Sequence, residues 1–69
     1  MSYTMYIKYR SRKRACSNGF YTDDLDRIMR IIERKKAGWH YQNGIIEKLM
    51  IRDTETGKYL YTVCNDRTA

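Results

Sequence analysis

Thr22-Asp23-Asp24-Leu25-Asp26-Arg27-Ile28-Met29-Arg30-Ile31-Ile32-Glu33-Arg34-Lys35-Lys36-Ala37-Gly38 is the stretch that decides the fold. Leu25, Ile28, Met29 and Ile32 recur at i, i+3, i+4 and i+7, which gives one apolar stripe at helical spacing. Thr22 or Asp23 can cap the start by accepting an unpaired backbone N–H. Asp23, Asp24 and Asp26 place negative charge at the positive end of the helix dipole, and Arg34, Lys35 and Lys36 place positive charge at the other. Gly38 can close the helix in a left-handed conformation. The spacing predicts a helix over residues 23–37.

On both sides of this helix the period changes from 3.6 to 2. Tyr3, Met5, Ile7 and Tyr9 alternate with Thr4, Tyr6, Lys8 and Arg10, which reads as a strand. Ser11–Gly19 reads as a loop or ragged hairpin, with Asn18-Gly19 as a turn and room for a short strand near residues 14–17. Trp39–Gln42 reads as the start of an extended segment, and Asn43-Gly44 as a second turn. Ile45–Arg52 and Lys58–Cys64 read as two strands of a hairpin, joined by Asp53-Thr54-Glu55-Thr56-Gly57 with a positive φ expected at the glycine.

The outline is β-(β)-α-β-β. It predicts an α+β fold: a small two-layer domain with an antiparallel or mixed sheet of 3–4 strands and one helix on one face. Residues 1–64 form the single domain on this reading, and 65–69 a frayed tail. Tyr3, Met5, Ile7, Ile45, Leu49 and Ile51 are expected to face the helix. Tyr6, Lys8, Arg10, Lys48, Met50, Arg52, Tyr59 and Tyr61 are expected on the open face. In this register Glu47 falls on the core side, so a bulge or a sheet-end position has to move it. Trp39 is expected to plug the core over the helix end.

Charge is unevenly placed. Five of the seven residues from Lys8 to Arg14 are basic, and residues 1–20 contain no acid. They carry +5 of the formal +6, while residues 21–69 hold nine bases and eight acids. Such a local field attracts phosphate, an acidic protein surface or an anionic membrane. No apolar run exceeds three residues, far short of the ~20 of a membrane span or the apolar core of a secretory signal. A cytoplasmic location without membrane contact is therefore expected, with Cys16 and Cys64 as reduced thiols.

Chemistry is thinly represented. His40 is the lone histidine, and Cys16, His40 and Cys64 show no metal-ligand spacing. The four glycines are isolated, so no phosphate-cradling loop exists. No enzyme, no cofactor and no metal are expected. The candidate binding residues are Lys8, Arg10, Arg12, Lys13 and Arg14 in the basic run. To these are added Tyr6, Lys48 and Arg52 on the open face, and the helix-exterior row Arg27, Arg30 and Arg34. The bland alternatives are a solvated loop, ordinary cross-strand Tyr–Arg pairs, and i,i+4 pairs Asp23–Arg27 and Asp26–Arg30.

In its length, its helix over Thr22–Gly38 and its hairpin over residues 45–64, the chain resembles small inhibitor proteins encoded by phages and mobile elements, including some anti-CRISPR inhibitors. The resemblance implies a non-catalytic protein that docks on host machinery and blocks or modulates it. The expected partner is an acidic protein surface or nucleoprotein complex. The alternative is a nucleic-acid-binding accessory protein that holds DNA or RNA phosphates with its basic N-terminal segment. A homodimer through the uncovered Lys58–Cys64 edge is compatible with both.

Overall fold

A computed structural model describes residues 2–67. Strands β1 (Tyr3–Tyr9) and β2 (Cys16–Thr22) are followed by helices α1 (Leu25–Lys36) and α2 (Trp39–Gln42). Strands β3 (Ile46–Asp53) and β4 (Tyr59–Cys64) complete the chain. The sheet has the order β2-β1-β3-β4, and every neighbouring pair is antiparallel. The α+β expectation holds, with four strands and α1 packed on one face.

Met5 and Ile7 pair with Ile51 and Leu49, and all four point into the core with Ile28 and Ile32 of α1. The cap of α1 is Asp24, not Thr22 or Asp23. The Asp24 carboxylate accepts the Arg27 amide, while the Thr22 hydroxyl accepts the Asp24 amide. Ala37 ends it with right-handed geometry, so Gly38 is not the left-handed cap that the sequence suggested. Gly38 instead opens α2, where the sequence predicts an extended segment. That single turn reverses the roles of two aromatics. Tyr41 turns inward and is 7% exposed, whereas Trp39, the expected plug, is 65% exposed.

The parity problem at Glu47 resolves in a bulge. Lys8 pairs with Lys48, but Tyr9 pairs with Ile46, so Glu47 is left over. The extra residue lets Ile46 enter the core in place of Ile45. Glu47 meets Lys8 instead, at 3.0 Å. A second bulge, between Ile51 and Arg52, sets Tyr59 opposite Arg52 and Tyr61 opposite Ile51. Tyr61 therefore packs against the core and does not share the open face with Tyr59. On the other edge, Asn18-Gly19 does not end a loop. It lies within β2, where Gly19 takes φ 79° and the chain inserts residues opposite Met5.

The tail expectation covers residues 65–69, of which 68 and 69 lie outside the described residues. Asn65 is buried and donates from Nδ2 to the carbonyls of Tyr41 (2.7 Å) and Ile46 (2.8 Å). It ties the end of β4 to α2 and to the start of β3.

Thr4 is 1% exposed, and its hydroxyl has no hydrogen-bond partner among the described residues. An unsatisfied buried hydroxyl costs free energy that an apolar group of the same shape does not. Thr4→Val is expected to stabilise the fold by about 1 kcal/mol, which thermal unfolding reads as a Tm raised by roughly 4–8 °C. An unchanged or lower Tm would mean that the hydroxyl is satisfied.

Candidate functional site

Antiparallel pairing sends the chain back and forth between two ends. The end of β1, the loop 10–15, the last turn of α1, α2 and the start of β3 gather at one of them. Ten of the fourteen basic residues lie there: Lys8, Arg10, Arg12, Lys13, Arg14, Arg34, Lys35, Lys36, Lys48 and Arg67. Among the described residues, Glu33, Glu47 and Asp66 are the acids that accompany them. The opposite end holds the other five carboxylates, Asp23, Asp24, Asp26, Asp53 and Glu55.

The basic end contains a cleft of about 430 Å³ lined by Tyr9, Ile31, Arg34, Lys35, Gly38, His40 and Ile46. Its floor is apolar (Ile31, Ile46 and the Tyr9 ring), and its rim is cationic. The Arg12 guanidinium sits over the Tyr9 ring at 6.0 Å, which joins the basic loop to the cleft. Exposed Trp39 stands beside it, edge-on to His40 at 5.3 Å. Arg34 and Ile31 also line a second groove of about 300 Å³ with Arg27 and Arg30. The helix row reaches the cleft through Arg34, and the basic loop reaches it through Tyr9, under Arg12.

The sequence-derived candidates divide into three groups. Arg12, Lys13 and Arg14 are exposed, and none forms an ion pair with a carboxylate among the described residues. The same is true of Arg27, Arg30 and Arg34. The expected pairs Asp23–Arg27 and Asp26–Arg30 do not form. Arg27 lies over the Phe20 ring, and Arg30 reaches the Asp26 carbonyl, not its carboxylate.

Arg10 is an architectural residue. Its Nε donates to the Gly44 carbonyl (2.9 Å), and its Nη2 donates to the carbonyls of Asn65 (3.0 Å) and Arg67 (2.8 Å). One guanidinium thereby holds the close of β1, the turn before β3 and the end of the described chain together.

Tyr6, Lys8, Lys48 and Arg52 share the opposite, open face of the sheet. There the Arg52 guanidinium lies 5.5 Å from the Tyr6 ring centre and 5.6 Å from that of Tyr59. It also donates to the Tyr6 hydroxyl and to the Gly57 carbonyl. Tyr6 and Tyr59 meet edge to face at 5.8 Å. These rings already have a cation against them, so they make a poor stacking platform for bases.

Sequence reasoning missed Tyr9, Ile31, Lys35, His40 and Ile46 as cleft residues. Ile31 carried a signal, since it lies outside the 25-28-29-32 stripe and next to the arginine row. Cys16 and Cys64 sit on the two opposite edge strands, about 14 Å apart by strand spacing, and both are free thiols. Among the described residues, no cluster of three His, Cys, Asp or Glu side chains could hold a metal ion, and no helix is long and apolar enough to cross a membrane.

The Glu47 carboxyl is held low by its neighbours. The hydrogen bond from Lys8 holds it below its ordinary 4.5, against an opposing effect of desolvation. The charges of Lys8, Lys48 and Arg10 pull in the same direction as the hydrogen bond. A depressed carboxylate stabilises the fold fully above 4.5 and loses that contribution as pH falls through the lowered value. Glu47→Gln should therefore lower the Tm at pH 7, and the gap to wild type should shrink as the pH drops below 4.5. A gap that stays constant with pH would show that the carboxylate charge adds no stability. No family model, no curated protein and no solved structure matches this chain.

Proposed function

We propose that this protein is a non-catalytic docking module. It seats its basic end on an acidic face of a host protein or nucleoprotein and thereby modulates or blocks that partner. The observation that carries this reading is the cleft itself. A cationic rim, with no carboxylate partner among the described residues, surrounds an apolar floor, with an exposed tryptophan alongside. Tryptophan, tyrosine and arginine around a small apolar pocket are the residue types that dominate protein interfaces. The surrounding charge steers the approach and sets its orientation, because the acidic end is repelled by the same target. Reduced thiols at Cys16 and Cys64 suit work in the cytoplasm. The outline likeness to phage-encoded inhibitors agrees with such a role.

The row Arg27, Arg30 and Arg34 favours a second reading. Seven residues of helix advance about 10 Å, so the row offers spaced cations along one line. A nucleic-acid backbone could be held there through phosphates alone.

Affinity capture from bacterial lysate, with and without nuclease, separates the two. Docking on a protein predicts a partner that survives nuclease and is lost in both Trp39→Ala and the Arg12/Lys13/Arg14→Ala triple variant. Nucleic-acid contact predicts that nuclease strips the bound material and that Trp39→Ala has little effect. Neither variant should lower the Tm by more than a few degrees, since exposed side chains contribute within about 0.5 kcal/mol. A partner retained unchanged by the triple variant would contradict both readings.

A further inference from the structure

The two edges of the sheet are built differently. On β2, the inserted residues and the positive φ of Gly19 break the extended line. The amides of Gly19 and Phe20 are also consumed locally by the Ser17 hydroxyl and the Asn18 side chain. That edge is blunted in the usual way. The β4 edge is not. Tyr59–Cys64 contains no charge and no proline. Beyond the bulge, Tyr61 to Cys64 run in continuous register with β3, and among the described residues no strand lies on the outer side of β4. Half of its backbone N–H and C=O groups therefore face outward.

The layer above β4 is also incomplete. Helix α1 packs on β1 and β2, and α2 on β3. Tyr61 and Val63, which point to the helix side, are left half-covered at the rim of the core.

We propose that β4 is a self-association edge, and that its occupant is the β4 strand of a second copy of this chain, antiparallel and centred on Thr62. Two constraints select this arrangement. A twofold axis normal to the sheet keeps each copy's helix on the same side, so paired residues must share a face. Centring on Thr62 does this: Tyr61 lies opposite the copy's Val63, and Val63 opposite its Tyr61. Each is an aromatic–β-branched cross-strand pair that covers apolar surface now half open. The second constraint is charge. Antiparallel pairing centred on Thr62 brings exposed Asp66 of one copy toward exposed Lys58 of the other, on both sides of the axis. Parallel pairing would bring like ends together. The dimer joins two four-stranded sheets into one of eight and leaves the two basic clefts at opposite poles. It makes no use of the cleft, so it stands or falls apart from the proposed function.

Sedimentation equilibrium from micromolar to millimolar chain concentration tests the association. The expected mass is twice the 8.4 kDa chain at the high end. Thr62 is exposed and outside the core, so Thr62→Lys should leave the circular dichroism spectrum unchanged. It places two like charges opposite each other at the axis and should weaken the dimer at least about tenfold. Thr62→Cys, in a Cys16→Ser/Cys64→Ser background, should form an intermolecular disulfide under mild oxidation. The same background with Thr56→Cys should not. A monomer throughout the concentration range would overturn the proposal. A dimer that Thr62→Lys leaves intact would overturn it as well, because the copies would then meet elsewhere.

Discussion

The antiparallel course of the sheet is the constraint from which the rest follows. Each strand reverses its neighbour in the sheet, and α1 returns along β1. Residues far apart in sequence, at 8–15, 34–40 and 46–48, must therefore share one end. The helix dipole reinforces this sorting. Carboxylates favour its start and cations its finish, and the start of α1 lies at the end opposite the basic loop. The polarity that stabilises one helix thus adds to the polarity of the whole domain.

Such a concentration of like charge has a cost in self-repulsion, and the structure offsets only part of it. Lys8 is neutralised by Glu47, and Lys36 approaches Glu33 at 3.6 Å. Arg10 is absorbed by three carbonyls, which bind a cation without cancelling its charge. Among the described residues, Arg12, Lys13, Arg14, Arg34 and Lys35 form no ion pair with a carboxylate. A small domain has little surplus stability, and the docking proposed above would relieve this repulsion by bringing acidic groups to the field.

Where a local pattern fixed the structure, the sequence was legible. The stripe 25-28-29-32 gave α1, the alternation from Tyr3 to Arg10 gave β1, and the polar loop with Gly57 gave the last hairpin, including its positive φ. Where tertiary context chose between near-equal local options, it was not. Only the pairing register reveals that Glu47 is the leftover residue, although its wrong parity announced a bulge. Trp39 and Tyr41 are both aromatic and two apart, and a single turn of helix decides which one enters the core. The candidate site was half visible. The loop and the arginine row stood out by charge, but their meeting at Tyr9 and Arg34 depends on packing. Arg10 looked identical to its basic neighbours until its carbonyl partners were seen.

Backbone amide shifts of the isotope-labelled protein, followed by NMR during titration with a poly-glutamate peptide, test the central claim most directly. If the basic end is the docking surface, amides at Arg12, Arg34, His40 and Ile46 will move together and return as salt is added. Those at Thr4, Tyr6 and Tyr59 will stay still. Shifts centred on the open sheet face, or none at low salt, would contradict the account.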